Sequence, residues 1–141
     1  MITGVDELQR NMAALSKKFG EEVAKAAVQG GQMVRSTAIR SIQTVSQGSP
    51  STRYRAGGGA YNHVTSRERD APNTDTGALV RSIMVEVRAD DVYVGTSIEY
   101  APYLEHGTIN MTPRPWLLPA LEENRPLIKK LFGAAVSRVI K

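Results

Sequence analysis

Residues 75–120 read DTGALVRSIMVEVRADDVYVGTSIEYAPYLEHGTINMTPRPWLLPA, and the punctuation of this stretch decides the fold. Ile83, Val85 and Val87 alternate with Met84, Glu86 and Arg88, the period of two that makes one face of a strand apolar. Ala89-Asp90-Asp91 supplies a turn, and Val92, Val94 and Gly95 continue on a returning strand, so residues 82–97 predict an antiparallel hairpin. Upstream, Asp75-Thr76-Gly77 reads as a cap and turn that starts a brief helical turn over Ala78 to Arg81. Downstream, Tyr100 to His106 suits a short helix closed by Gly107, because glycine accepts the left-handed conformation common at helix ends. Pro113 and Pro115 then hold Arg114 and Trp116 extended, which predicts a third, edge-like strand, since proline cannot donate to a ladder.

Outward from this centre both flanks are helical. Thr3-Gly4-Val5-Asp6 reads as an N-cap with an acid three residues on, and Val5, Leu8, Met12 and Leu15 recur at helical spacing, predicting a first short helix. After Phe19-Gly20 a longer helix is expected, with Val23, Ala27, Val34, Ala38, Ile42 and Val45 on one broad stripe. Gly30 and Gly31 inside it cost about 1 kcal/mol each relative to alanine, so either the helix breaks there or another backbone packs closely against it, and close packing is the favoured expectation. From Gln47 to Thr74 the composition shifts to Ser, Gly, Pro, Arg and Asn around Gly57-Gly58-Gly59, with no apolar period: a long flexible loop, able to pair as a hairpin on assembly. The last helix carries Leu127, Ile128, Leu131, Phe132, Ala135, Val136, Val139 and Ile140 on one stripe, with Pro126 at a first-turn position. The expected architecture is a single α+β domain over residues 1–141, a small antiparallel β-sheet packed with N-terminal and C-terminal helices. Its segments are a helical stretch (1–46), the loop (47–75), the hairpin with short helix and third strand (76–117) and the terminal helix (118–141).

The 141 residues are enough to bury one core without disulfides or metal. The chain has no cysteine, which excludes a disulfide framework, a thiolate metal site and a thiol nucleophile. The start MITGVDELQR has no basic-then-apolar signature of an export signal, and no apolar run nears the roughly 20 residues of a membrane span, so a soluble, intracellular product is expected. Net charge is only +4, but it is unevenly spread: residues 76–124 hold seven acids against three arginines, whereas 125–141 carry five basic residues and no acid. That asymmetry suits either a solvated helix face or complementary contact between subunits.

Few residues offer chemistry. Asp75-Thr76-Gly77 matches the tripeptide of aspartic proteases, whose paired carboxylates share a proton, but such an Asp ends a buried apolar strand and here Pro72-Asn73-Thr74 precede it. His63 and His106 are the only imidazoles, and Glu105 and His106, as sequence neighbours, point about 100° apart on a helix. Gly57-Gly58-Gly59 lacks the Lys-Ser or Lys-Thr ending of a phosphate loop. Arg53, Arg55 and Arg67, interleaved with Tyr54 and Tyr61, can neutralise phosphates and stack on bases, and are the candidate nucleic-acid contacts. Tyr54, Tyr100, Tyr103, Arg114 and Trp116 are the candidate subunit interface; Trp116 and Tyr100 suit the core equally well.

Three phrases in order carry a wider resemblance: Asp75, Thr76, Gly77, Leu79 and Ser82-Ile83; then Val94-Gly95-Thr96 with Tyr100, Ala101, Tyr103, Glu105, Gly107 and Thr108; then Pro113-Arg114-Pro115, an aromatic, and Leu118-Pro119-Ala120. In this order the chain resembles the tail-component or neck proteins of long-tailed bacteriophages, with Trp116 where that family more usually has phenylalanine. The resemblance implies a structural virion protein of the head–tail connection, neck or tail-completion ring, not an enzyme, with no cofactor or metal. It implies a cyclic homo-oligomer, a hexamer or dodecamer, in contact with head-completion and tail-terminator or tail-tube proteins and with the end of the packaged DNA, and with no membrane. Host cytoplasm during assembly and the virion afterwards are the expected locations. A basic DNA-binding accessory protein acting through Arg53, Arg55 and Arg67 is the alternative reading, and a small hydrolase using Asp75 the third.

Overall fold

The computed structural model describes residues 4–140. Helix α1 runs unbroken over Val5–Gln43, 39 residues, about 58 Å at 1.5 Å per residue. The two helices expected on either side of Phe19-Gly20 are therefore one. Gly20 costs only about 1 kcal/mol in a helix, and Glu22 just beyond it is tied to Lys25 at 2.9 Å and to Arg138 of the last helix at 3.2 Å. The cap expected at Thr3 lies outside the described residues; Gly4 occupies the N-cap position without a side-chain bond, and Asp6 and Glu7 in the first turn favour the helix dipole.

The C-terminal half of α1 is the spine of the core. Val34, Ala38 and Ile42 bury against Leu79, Ile83, Ala101, Trp116 and Ala120. The glycine pair lies where two other elements press on this helix. A Cβ on Gly31 would come within 2.8 Å of Val92 and 3.0 Å of Val85, and one on Gly30 within 3.2 Å of Ile128, so the helix does not break and the close packing is present, made by side chains rather than by another backbone; only hydrogen fits at position 31 without displacement.

Strands β1 (Pro50–Tyr54) and β2 (Ala60–Val64) form one antiparallel pair, with Pro50 opposite Val64 and Tyr54 opposite Ala60. The stretch expected to remain a loop until assembly is thus already paired within the single chain. It shows no apolar period because both of its faces stay largely open to solvent. What holds it are the backbone ladder, a glycine turn with Gly58 and Gly59 at φ 87 and 90, and Asn73, whose side-chain amide donates to Ser46 O (2.7 Å) and Val64 O (2.8 Å).

Helix α2 (Ala78–Ser82) leads into β3 (Met84–Arg88) and β4 (Asp91–Gly95), paired as expected with Val85 opposite Val94 and Val87 opposite Val92. Ala89 takes the left-handed φ of 51 that the tight turn requires. Helix α3 (Ala101–His106) ends at Gly107, φ 76, whose N–H donates to Tyr103 O at 2.8 Å, also as expected.

Two expectations fail downstream. Residues 113–116 join neither sheet: the proline nitrogens cannot donate, and the one N–H between them, that of Arg114, donates instead to Leu104 O at 2.7 Å. Helix α4 (Leu118–Ile140) begins well before Pro126, which lies inside it rather than in its first turn. Helices α1 and α4 pack along one another, and the buried Asn124 links them, donating to Thr37 Oγ1 at 2.9 Å and to Ala120 O at 2.7 Å. The two hairpins remain separate two-stranded sheets, and with four helices they make an α+β fold flanked by N- and C-terminal helices, as expected.

Candidate functional site

Asp75 does not cap α2. Gly77, at φ 74, holds the cap position without a side-chain bond, and the N–H of Ala78 reaches Thr76 Oγ1 at 3.4 Å. The Asp75 carboxylate turns the other way, under the first hairpin, where Arg53 Nη1 donates at 2.9 Å, the Tyr61 hydroxyl at 2.8 Å, and His63 Nδ1 stands 3.8 Å off. This is an anchoring cluster, since a carboxylate engaged by a guanidinium and a phenol holds β1 and β2 down on the segment before α2. The protease-like reading of Asp75 would require an apolar strand leading to it, and residues 71–77 form none.

The hydrogen bond to Asp75 is the main reason the Tyr61 phenol is held above its ordinary value, with burial and the charge of Asp75 adding to it and Arg53 and Arg55 opposing. The folded-state value thus lies above the unfolded one. Its stabilising contribution is complete below about pH 10 and is lost as pH climbs through the raised value. Replacing Asp75 with asparagine is expected to bring the Tyr61 titration back toward the ordinary range, followed at its phenol carbon by NMR; an unchanged titration would show that the carboxylate does not hold the phenol.

Of the three arginines expected to meet nucleic acid, Arg53 and Arg55 share the first hairpin and Arg67 lies beyond it. Arg53 pairs with Asp75, Arg55 lies 5.4 Å over the Tyr61 ring, and Arg67 Nε donates to Gln47 O at 2.7 Å. Tyr54, Tyr100 and Tyr103 are exposed, whereas Trp116, at 3% exposure, belongs to the core of its own chain and has no surface to offer a partner. Arg114 is partly buried behind the cluster, in the wall of a cavity of about 360 Å³ that Arg53, His63, Asp75 and Tyr100 also line.

Two features escaped the sequence. The first is Glu105. Its carboxylate accepts from the backbone N–H groups of Trp116 (2.8 Å), Leu117 (3.0 Å) and Leu118 (2.8 Å), capping α4 from another helix. No local spacing betrays this, because cap and helix start lie thirteen residues apart. Replacing Glu105 with alanine removes three charge-assisted bonds and is expected to cost about 2–3 kcal/mol, read as a lowered urea midpoint; a loss under about 0.5 kcal/mol would deny the cap its role.

The second is the bare N-terminal half of α1. Val5, Leu8, Met12, Leu15 and Phe19 are 43 to 63% exposed, on one face of a helix that the other described residues leave largely uncovered there. Their spacing of three and four residues alternately is that of a coiled-coil seam. A shallow apolar groove of about 330 Å³ continues the seam between Met12, Leu15 and Phe19 and the end of α4 at Val139 and Ile140. No helix among the described residues is long and apolar enough to cross a membrane.

The family model described as "Bacteriophage HK97-gp10, putative tail-component" matches residues 6–107, well over half of the chain, from the first turn of α1 to the glycine that closes α3. No curated protein and no solved structure matches.

Proposed function

The chain belongs to the HK97-gp10-like family of bacteriophage tail components, and from that membership we propose that it is a subunit of a closed ring of identical copies at the neck or tail-completion position, a hexamer or dodecamer. Its work there is binding alone, between head-completion proteins on one side and tail-terminator or tail-tube proteins on the other.

The observation that carries this reading is the uncovered seam on α1. A lone soluble subunit has no use for an apolar row repeated over several turns, and such a row marks a surface that assembly covers. Its three-and-four spacing suits a helix as occupant. The positions that would flank the seam are Gln9, Asn11, Ser16 and Lys18, so a second copy meets almost no like charge. Where the seam of each subunit instead takes a helix from a different face of the next copy, the contact is heterologous, and such contacts form a ring when the rotation from one subunit to the next closes. The acidic middle of one copy and the basic tail of another add complementary charge.

Within the ring the first hairpin faces the channel, where the exposed Arg53, Tyr54 and Arg55 meet the end of the packaged DNA. Electron microscopy of lysates in which this product is silenced tests the assignment. Filled heads lying apart from finished tails support a joining role, and tails of irregular length move the ring to the tail terminus. Intact infectious particles would refute it, and would favour a DNA-binding accessory protein working through the same hairpin.

A further inference from the structure

The cavity behind Asp75 is more than a packing flaw. Its volume of about 360 Å³ sits at the low end of ligand-sized pockets, and much of its wall is apolar, with Ile42, Leu79, Val80 and Leu104 among the lining residues. Two polar groups in that wall are left without partners. Ser66 is 2% exposed and its Oγ makes no hydrogen bond; the buried Nε of Arg114 makes none either. No ion pair or side-chain hydrogen bond of Arg114 occurs among the described residues, although Arg53 across the cavity is matched by Asp75. Unpaired buried donors cost about 1–3 kcal/mol each, so the Nε–H of Arg114 and the hydroxyl of Ser66 are groups awaiting an acceptor.

We infer that this cavity is a binding site for a single carboxylate on a short apolar stem, with the guanidinium of Arg114 and the hydroxyl of Ser66 receiving the oxygens and the aliphatic wall the stem. A guanidinium fork takes carboxylate or phosphate. Asp75 on the same wall decides between them: a second negative charge on the ligand would be repelled by that carboxylate, whereas a monoanion leaves the site near neutrality. The volume readily admits one side chain or a small acid. A free carboxylic acid and a glutamate side chain from a neighbouring virion protein share this chemistry. The site does not depend on the ring, since every residue of it comes from one chain.

The test is an NMR titration of the whole protein, observing the arginine Nε–H signals, with sodium butyrate, butylammonium, inorganic phosphate and N-acetylglutamate amide at matched ionic strength. Butyrate is expected to move the Arg114 signal in a saturable way, butylammonium not at all, and phosphate at least about tenfold more weakly than butyrate. Tighter binding of the glutamate amide than of butyrate assigns the natural ligand to a protein side chain; the reverse assigns it to a free acid. Arg114→Gln should weaken butyrate at least about tenfold while Arg88→Gln, exposed at the turn of the second hairpin and outside the cavity, changes it less than about threefold. A linear, non-saturating shift common to all anions would overturn the inference. So would equal binding by wild type and by Arg114→Gln, the latter checked for folding by its thermal melt; should that variant not fold, the wild-type titrations alone decide.

Discussion

Replacing Met12 and Leu15 together with glutamate is expected to yield a folded protein that no longer self-associates. Both side chains are more than half exposed in the single chain, so they contribute little to its own stability, and substitutions at such positions ordinarily change it by about 0.5 kcal/mol or less. In a ring the same positions would be the middle of a covered seam. Each loses the burial of a large apolar side chain, about 1.5–3 kcal/mol, and each would place a carboxylate in a dry contact. Together these amount to at least about a thousandfold weaker association per contact. Sedimentation velocity or mass photometry against concentration reads the effect, and circular dichroism confirms the fold. Ile109, fully exposed in the turn after α3, gives the control: Ile109→Glu should leave assembly unaltered. Unchanged oligomers in the double variant would move the interface away from α1.

The second large effect is internal. Trp116 is 3% exposed and packs in the cluster of Val34, Ala38, Ile42, Leu79, Ile83, Ala101 and Ala120, where helix α1 meets the start of α4. Trp116→Ala empties the largest side-chain volume in that cluster and is expected to cost about 3–5 kcal/mol. At roughly 3 °C of Tm per kcal/mol for a chain of this size, the melt should fall by about 9–15 °C. The indole N–H is buried without an acceptor, so Trp116→Phe removes an unsatisfied donor along with part of the ring, and the two changes oppose each other. That variant should stay within about 1.5 kcal/mol of wild type. An alanine variant as stable as the phenylalanine one would mean that Trp116 does not bear on the core in this way.

What could be read from the chain before folding follows from the range of each signal. The hairpin of residues 84–95 was legible because alternation and a turn are local, and the end of α3 was legible because one glycine specifies it. The close packing at Gly30 and Gly31 was legible because glycine in a helix needs a reason. The hairpin of residues 50–64 was not, since a strand pair solvated on both faces carries no apolar period and is held by Asn73 and Asp75 from outside it. The terminal segment was bounded at residue 118, where α4 begins, but the place of Pro126 was misjudged: it suits a first turn, yet lies inside the helix because the cap supplied by Glu105 from a different helix starts it earlier. Asp75 was read as a cap through its neighbours in sequence, while its partners lie fourteen and twenty-two residues away.

By itself the sequence determined the helical flanks, the central hairpin, the α+β class and the resemblance to phage tail components, all carried by periodicities and motifs within a few residues of one another. Only the tertiary structure decided which apolar faces are covered. The row from Val5 to Phe19 and the row from Val34 to Ile42 both recur at helical intervals, yet one is bare and the other is the core. Spacing places side chains on a common face, but burial depends on whether another segment of the chain reaches that face, and none of the described residues covers the first turns of α1.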